Sequence, residues 1–474
     1  MNILKKSTLV MLLIAAVLMA GCKKETETEN AENTGTETVD PQNPNPAQDT
    51  ALNENMFSEY ESIYRLYPNY DGTLLALAQG EHTDFLLKLD NNGYVQQRVE
   101  LGYRSRRVIV NTGEYIMLLG NMGSVSGAPY GMYKQGYVAV YDKNIQLVAT
   151  MTLMENQYYI DVYSLIQDTY NPNVFYVGGL AADNSYQQYP YLCTIQFSEG
   201  ILTPVSSKVY TNYQRYRVVG MVEKTDAGQK DLILETIHYS VIDDPYNSNS
   251  SEIHIVKLNY FEESTGWGSK TWDIVVTGPH EDSYTGNNSM VADENNVYCF
   301  GYCNDDKEHA PSNGGYWDSG FAAAVNWRQG QTVWTKTFAL SNYSDQFATG
   351  LFADGCLYAC GMHSGLGYSN TGKDFANGVV AKISLSGDLV TYKTFGDPKR
   401  YAAFLHAVKD SNGHWACAGW SGVNLDDGGI KYDGWFLKMD MSSGGASKIM
   451  SEDVKKDDMD PSNIIAPMDV EMRF

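Results

Sequence analysis

The feature that most constrains this chain is a glycine that closes an apolar run again and again at a nearly fixed interval. It stands at Gly80 in "LLALAQG", Gly120 in "YIMLLG", Gly179 in "VFYVGG", Gly301 in "VYCFG", Gly361 in "LYACG" and Gly419 in "HWACAG". The intervals are 40, 59, 122, 60 and 58 residues, and 122 is twice 61. One more repeat is therefore expected between Gly179 and Gly301. "DLILETIHY" (231–239) and "SEIHIVKLN" (251–259) supply the same pair of runs without the glycine, which makes seven repeats.

The sixth repeat shows the parts best: "QFATGLFAD", a tight "DG" turn, "CLYACG", a long polar insert, "GVVAKISLSG", then "LVTYKTF". Each run has strand length, is bounded by Gly, Asp or Asn, and lacks helical spacing. Four short strands repeated every about 40–70 residues predict an all-β chain folded as a single β-propeller of seven four-stranded blades. Neighbouring blades pack face to face, so the middle strands should be apolar on both sides. "DFLLKLD", "GYVAVYD" and "GWFLKMD" meet that requirement.

The unit resembles a repeat of many bacterial secreted proteins and lipoproteins, in which "DGG", "GW.VKLD", "G" and "W.K" mark successive strands. The resemblance runs from residue 58 to about 450, with Lys88, Lys257, Lys382 and Lys438 at its lysine; the third and fourth repeats depart most from it. It implies a fold and no single activity.

At the N-terminus, Lys5 and Lys6 precede the apolar run "LVMLLIAAVLMAG" and Cys22, the layout of an export signal. The run is short for a membrane span. "LMAGC" (18–22) resembles a bacterial lipoprotein signal, with Met19 where Leu is usual. That resemblance implies removal of residues 1–21, lipidation of Cys22 by fatty acyl chains, and a partner in the membrane itself: the outer membrane of a Gram-negative bacterium. Periplasmic orientation and display on the outer surface are both open, and the alternative is an ordinary secretory signal with an incidental cysteine. Residues 22–55, rich in Glu, Thr, Asn, Pro and Gln, cannot bury enough surface to offset chain entropy and read as a disordered tether. A flexible chain of that length reaches about 30 Å. The propeller is assigned to residues 56–474. Its end, "PMDVEMRF", alternates Met468, Val470, Met472 and Phe474 with polar residues, so a closing strand is expected near 468–474.

The net charge of −23 argues against a nucleic-acid partner, which needs a basic footprint. The six cysteines beyond Cys22 spell no CxxC or haem site; "CFGYC" (Cys299, Cys303) and "CLYAC" (Cys356, Cys360) read as buried small hydrophobes. The acid pairs Asp243/Asp244, Asp305/Asp306 and Asp426/Asp427 read as solvated turns, the eight histidines are scattered, and no GxSxG, HExxH or P-loop occurs. No metal, cofactor or catalytic residue is assigned.

Insert lengths point to one face. The connection between second and third strands is long in six of the seven repeats (121–136, 180–190, 238–251, 302–319, 362–377 and 420–433). In a four-stranded blade it emerges on the same face as the blade-to-blade connections. There the inserts place Tyr133, Tyr246, Trp317, Tyr368, Trp420 and Tyr432, large rings suited to sugars or a protein partner. Six of the ten arginines, Arg104, Arg106, Arg107, Arg215, Arg217 and Arg400, fall in three blade-to-blade connections and suit an anion. The competing account is that these rings pack loop on loop and the arginines form surface ion pairs. Two functions follow: a lipoprotein binding a glycan, peptide or protein on this face, or an envelope hydrolase or lyase acting on an acidic glycan.

Overall fold

The structure is a computed structural model. It describes residues 52–441 apart from 102–107, 123–134, 156–157, 186, 227, 240–250, 259–269, 277–282, 286–288, 305–317, 341–344, 365–375, 397–399, 411 and 425–429. Cys22, the tether up to residue 51 and the strand expected at 468–474 lie outside the described residues.

Seven antiparallel sheets follow one another along the chain, and none of the described residues is helical. Blades one to four span residues 62–100, 108–152, 159–209 and 216–275, each with four strands in sequence order. Blade five spans 283–338, and its first strand is split into Ser283–Thr285 and Val291–Ala292, both paired with Asn296–Asn304. Blade six spans 345–395. Blade seven takes three strands from 401–439 and its outermost strand, Asn53–Phe57, from the other end of the chain.

That last pairing closes the ring. Asn55 lies opposite Phe436 and Met56 opposite Trp435, and the Trp435 indole donates to Glu54 Oε1 at 2.8 Å. Residues 53–55, which read in the sequence as the end of the tether, thus belong to the propeller. Pairing covers the edge of the strand Ile430–Met439, an open row of backbone groups otherwise.

The core is not central but lies between blades. Six buried apolar clusters each straddle one blade pair, including Ile63, Leu66, Ala416 and Phe436 between blades one and seven, and a further one between blades one and two also takes in Ala348 of blade six and Leu405 of blade seven. Middle strands are buried on both faces, as in Gly136–Tyr141 and Ser319–Val325, whereas fourth strands such as Ile201–Val209 lie largely exposed. In blades three, six and seven the repeat glycine allows close approach beside a bulge, whereas in blade one Ala78 stands there and Gly80 closes the following turn. A Cβ on Gly361 would lie 1.8 Å from the Gln346 carbonyl oxygen, and one on Gly419 1.8 Å from that of Ala403.

The lysines at the repeat position serve the same frame. Lys88 reaches Asp71 at 2.6 Å, Lys257 reaches Asp231 at 2.7 Å and Lys438 reaches Asp410 at 2.5 Å, each tying the third strand to the turn end of its own blade. Burial opposes ionisation of Asp71, but Lys88 and Thr73 outweigh it and hold the carboxyl down to about 2. Cys299, Cys303 and Cys360 are buried on their strands, as their spacing suggested, and so is Cys356, but Cys356 is disulfide-bonded and not the simple buried hydrophobe expected.

Candidate functional site on the insert-bearing face

Of the residues expected on the ligand face, Tyr133, Tyr246, Trp317, Tyr368, Arg104, Arg106 and Arg107 lie outside the described residues. Trp420, Tyr432, Arg215, Arg217 and Arg400 are described, and they fall into two groups, one in blade seven and one in blade four.

In blade seven the expected insert is mostly strand. Trp415–Asn424 and Ile430–Met439 continue their pairing up to Asn424 and Ile430, so Trp420 and Tyr432 are strand residues rather than loop residues. Alternation carries on through "WSGVN" and "IKYDG", and nothing there interrupts the ladder. The two rings meet edge to face at 5.2 Å. Trp420 also packs against buried Met362, Ala376 and Ala403, so part of this ring supports the frame. Arg400 donates from Nη2 to Asp433 Oδ2 at 3.1 Å and from Nη1 to Ser421 Oγ at 3.3 Å. Ser421 and Asp433 are cross-strand partners, so Arg400 clamps the hairpin and Asp433 offsets its charge.

Blade four differs in kind. In every blade one third-strand residue faces the glycine position of the second strand. That residue is Phe85, Tyr137, Tyr191, Phe321, Val379 or Trp435 in six blades, and His254 opposite Thr236 in blade four. Glu252 stands two residues before His254 and shares its face, and His238 lies directly opposite Glu252. Asp273, on the fourth strand, reaches the same face diagonally and accepts from His254 Nδ1 at 2.8 Å.

The entry to this blade adds rings. The Tyr213 amide bonds the Tyr210 carbonyl, and Arg215 sits at φ 69°, the left-handed region that favours glycine, with its amide on the Gln188 carbonyl. The chain then delivers Tyr216 stacked on His238 at 4.3 Å and edge-on to His254 at 5.0 Å. Arg217 lies over the Tyr163 ring at 5.3 Å, and Tyr163 in turn donates to Asp161 at 2.6 Å. Lys270 bonds Asp273 at 2.8 Å and sits over Tyr213 at 4.5 Å.

Electrostatics follow from that packing. Burial alone would raise Asp273, but His254 and Lys270 outweigh it and hold the carboxyl below its ordinary value. Burial, and then the carboxylates of Asp273 and Glu252, push the Tyr216 phenol up to about 12. Asp273 is thus a fixed anion that orients the His254 ring and leaves its Nε2 facing Glu252 Oε2 at 3.3 Å. His238 Nδ1 faces the same oxygen at 3.4 Å.

Neither histidine nor Glu252 was singled out from the sequence. The available signal was the Glu-x-His spacing at 252–254, together with polar side chains where the other repeats place glycine and an aromatic ring.

No family model matches the chain, and no curated protein matches it. Solved structures with similar outlines include Drosophila Plexin A in complex with Semaphorin 1b, at 10% identity, covering 83% of this chain and 88% of that chain, with a TM-score of 0.42. Trypanosoma rangeli sialidase in complex with sialic acid is similar at 10% identity, covering 83% of this chain and 60% of that chain, with a TM-score of 0.38. The GH93 α-L-arabinofuranosidase of Fusarium graminearum, with arabinobiose, is similar at 9% identity over 82% of this chain and 98% of that chain, with a TM-score of 0.38. At these scores the likeness assigns no activity and no partner, and the chain stands as a seven-bladed β-propeller on its own architecture.

Proposed function

We propose that this chain is a cell-envelope lipoprotein, anchored through Cys22, whose propeller binds a glycan, peptide or protein partner on the insert-bearing face. One observation carries the reading: blade four replaces the apolar third-strand position of its neighbours with His254. Around it the blade gathers Tyr216, His238, Glu252 and Asp273 at the insert end. An imidazole beside two carboxylates, at a position that six blades fill with an aromatic ring or Val, costs stability, and a ligand is the compensation that reading supplies. Half-buried tyrosines at 210, 213 and 216 add rigid contact area with little side-chain entropy to lose.

The test is a glycan and peptide array probed with the full chain, followed by Tyr216→Ala and Arg217→Ala. A central anchor should weaken binding by about 1–3 kcal/mol on truncation. Binding that survives both substitutions would remove blade four from the interface.

A second reading, an envelope enzyme acting on an acidic glycan, is favoured by one observation. Arg215 and Arg217 flank Tyr216 in sequence, and Tyr216 packs on the His254 ring that Asp273 orients. Arginines beside a base and a phenol suit a substrate carboxylate. Released reducing sugar or unsaturated product, lost in Tyr216→Phe with binding kept, would establish that reading over the first.

A further inference from the structure

We propose that His238, Glu252 and His254 form a binding site for one divalent cation of the zinc class. This site stands apart from whichever partner the face binds, since it is argued from ligand geometry alone. The three side chains offer two imidazole nitrogens and one carboxylate oxygen within 4.8 Å of one another.

Distances separate a metal site from a hydrogen-bond network here. Glu252 Oε2 lies 3.3 Å from His254 Nε2 and 3.4 Å from His238 Nδ1, both long for a charge-assisted hydrogen bond. A tetrahedron with bonds of about 2.0–2.1 Å has edges of about 3.3–3.4 Å, so the two spacings match those between ligands of one tetrahedral ion. In contrast, His254 Nδ1 to Asp273 Oδ1, at 2.8 Å, has the length of a proper bond. A metal-binding histidine characteristically donates its other nitrogen to a carboxylate, which fixes the tautomer and turns the free nitrogen to the ion. Asp273 does this for His254, and Lys270 holds Asp273 in turn.

The elements make the trio rigid. Glu252 and His254 lie on one strand face two residues apart, and His238 is locked opposite Glu252 by the ladder and by the stacked Tyr216 ring. Two histidines and one carboxylate select zinc-like ions over calcium or magnesium, which take oxygen-rich sets. His254 is nearly covered, whereas Glu252 is 39% exposed, so a fourth position opens toward solvent. Three protein ligands with an open fourth place are the pattern of a site that can take water or a ligand atom.

The test uses the untagged full chain, stripped with chelator, and titrated with Zn2+ by calorimetry and with Co2+ by visible absorption. One equivalent should bind, with the intense d–d bands of four-coordinate Co2+. His238→Gln and Glu252→Gln, both on half-exposed positions, should each weaken binding by about tenfold or more. Asp273→Asn should weaken it by about 10–100-fold without changing stoichiometry. His82→Gln and His414→Gln should leave it unchanged. Absence of any binding, Co2+ spectra of six-coordinate type, or full affinity in the His238→Gln/Glu252→Gln double variant would each overturn the proposal. Circular dichroism on every variant separates a lost ligand from a lost fold.

Discussion

Blades four and six are built on the same backbone and use it differently. In blade six Gly361 lies beside the bulge between Phe347 and Thr349, and Val379 faces it from the third strand. In blade four the bulge lies between Val218 and Gly220, so the glycine has moved to the first strand, and Thr236 faces His254 where blade six pairs Gly361 with Val379. The residue after the bulge is polar and buried in four blades: Arg65, Ser164, Thr349 and His406. Gly220 leaves that space to Glu235 of the second strand, fully buried and bonded by the Ser289 hydroxyl at 3.0 Å. Five blades thus carry a buried polar group at this level, four on the first strand and blade four on the second. At the insert end blade four places His238, Glu252 and His254 together, whereas blade six has His363 opposite Asn377 and held to buried Asp345 at 2.7 Å.

The sharpest test of the shared backbone is a methyl group. Gly361→Ala would put a Cβ 1.8 Å from the Gln346 oxygen, an approach that only a backbone shift relieves. Unfolding in urea should show a loss of about 2–4 kcal/mol for Gly361→Ala and for Gly419→Ala, against under about 1 kcal/mol for Thr236→Ala in blade four. Equal losses at all three positions would mean that the glycine has not changed strands.

A double-mutant cycle addresses the swap itself. Gly220→Thr brings a Cβ within 2.4 Å of Glu235 Oε2, and Glu235→Ala leaves Ser289 without that acceptor. Each single variant should destabilise, and the pair, which copies the arrangement of the other blades, should recover about 1–2 kcal/mol of their summed loss. Strict additivity measured by denaturant unfolding would argue that the two positions are independent.

Much of this architecture is legible in the sequence. The glycine intervals mark the blades, and the 122-residue gap correctly announces the hidden pair now seen as Gln229–Tyr239 and Ser251–Leu258. What escapes is whatever depends on register across a long connection. His238 and Glu252 are 14 residues apart, and only the ladder shows that they face each other. Trp420 and Tyr432 read as insert residues because turn-forming Gly and Asp follow them, yet pairing persists to residues 424 and 430. The closing strand Asn53–Phe57 is short and polar at its start, and its partner lies 381 residues away, so local pattern has no means of finding it.

Acid should separate the two kinds of buried polar group by a smaller effect. Burial, reinforced by Arg65, holds His406 well below its ordinary value, so the folded chain keeps the ring neutral where the unfolded chain protonates it. Stability is therefore full above about pH 6.5 and falls at lower pH, by at most about 1.4 kcal/mol per unit for this one group. Asp273, held low by His254 and Lys270 despite its burial, adds stability above about pH 4 that is lost only as pH drops further. Melting curves from pH 7 to 5 should show a decline that His406→Gln flattens and Asp273→Asn does not. A decline unchanged in His406→Gln would place the acid-sensitive group elsewhere.

The most direct measurement is the melting of wild type and His254→Val, with and without Zn2+. Val is the residue that blade six uses at this position, so the substitution turns blade four back into an ordinary blade. If its insert end serves function and not folding, His254→Val melts within about 4 °C of the metal-free wild type and loses the zinc-dependent rise. A variant that melts far lower without metal and still gains stability from zinc would contradict the account, because His254 would then be holding the blade together and not a ligand.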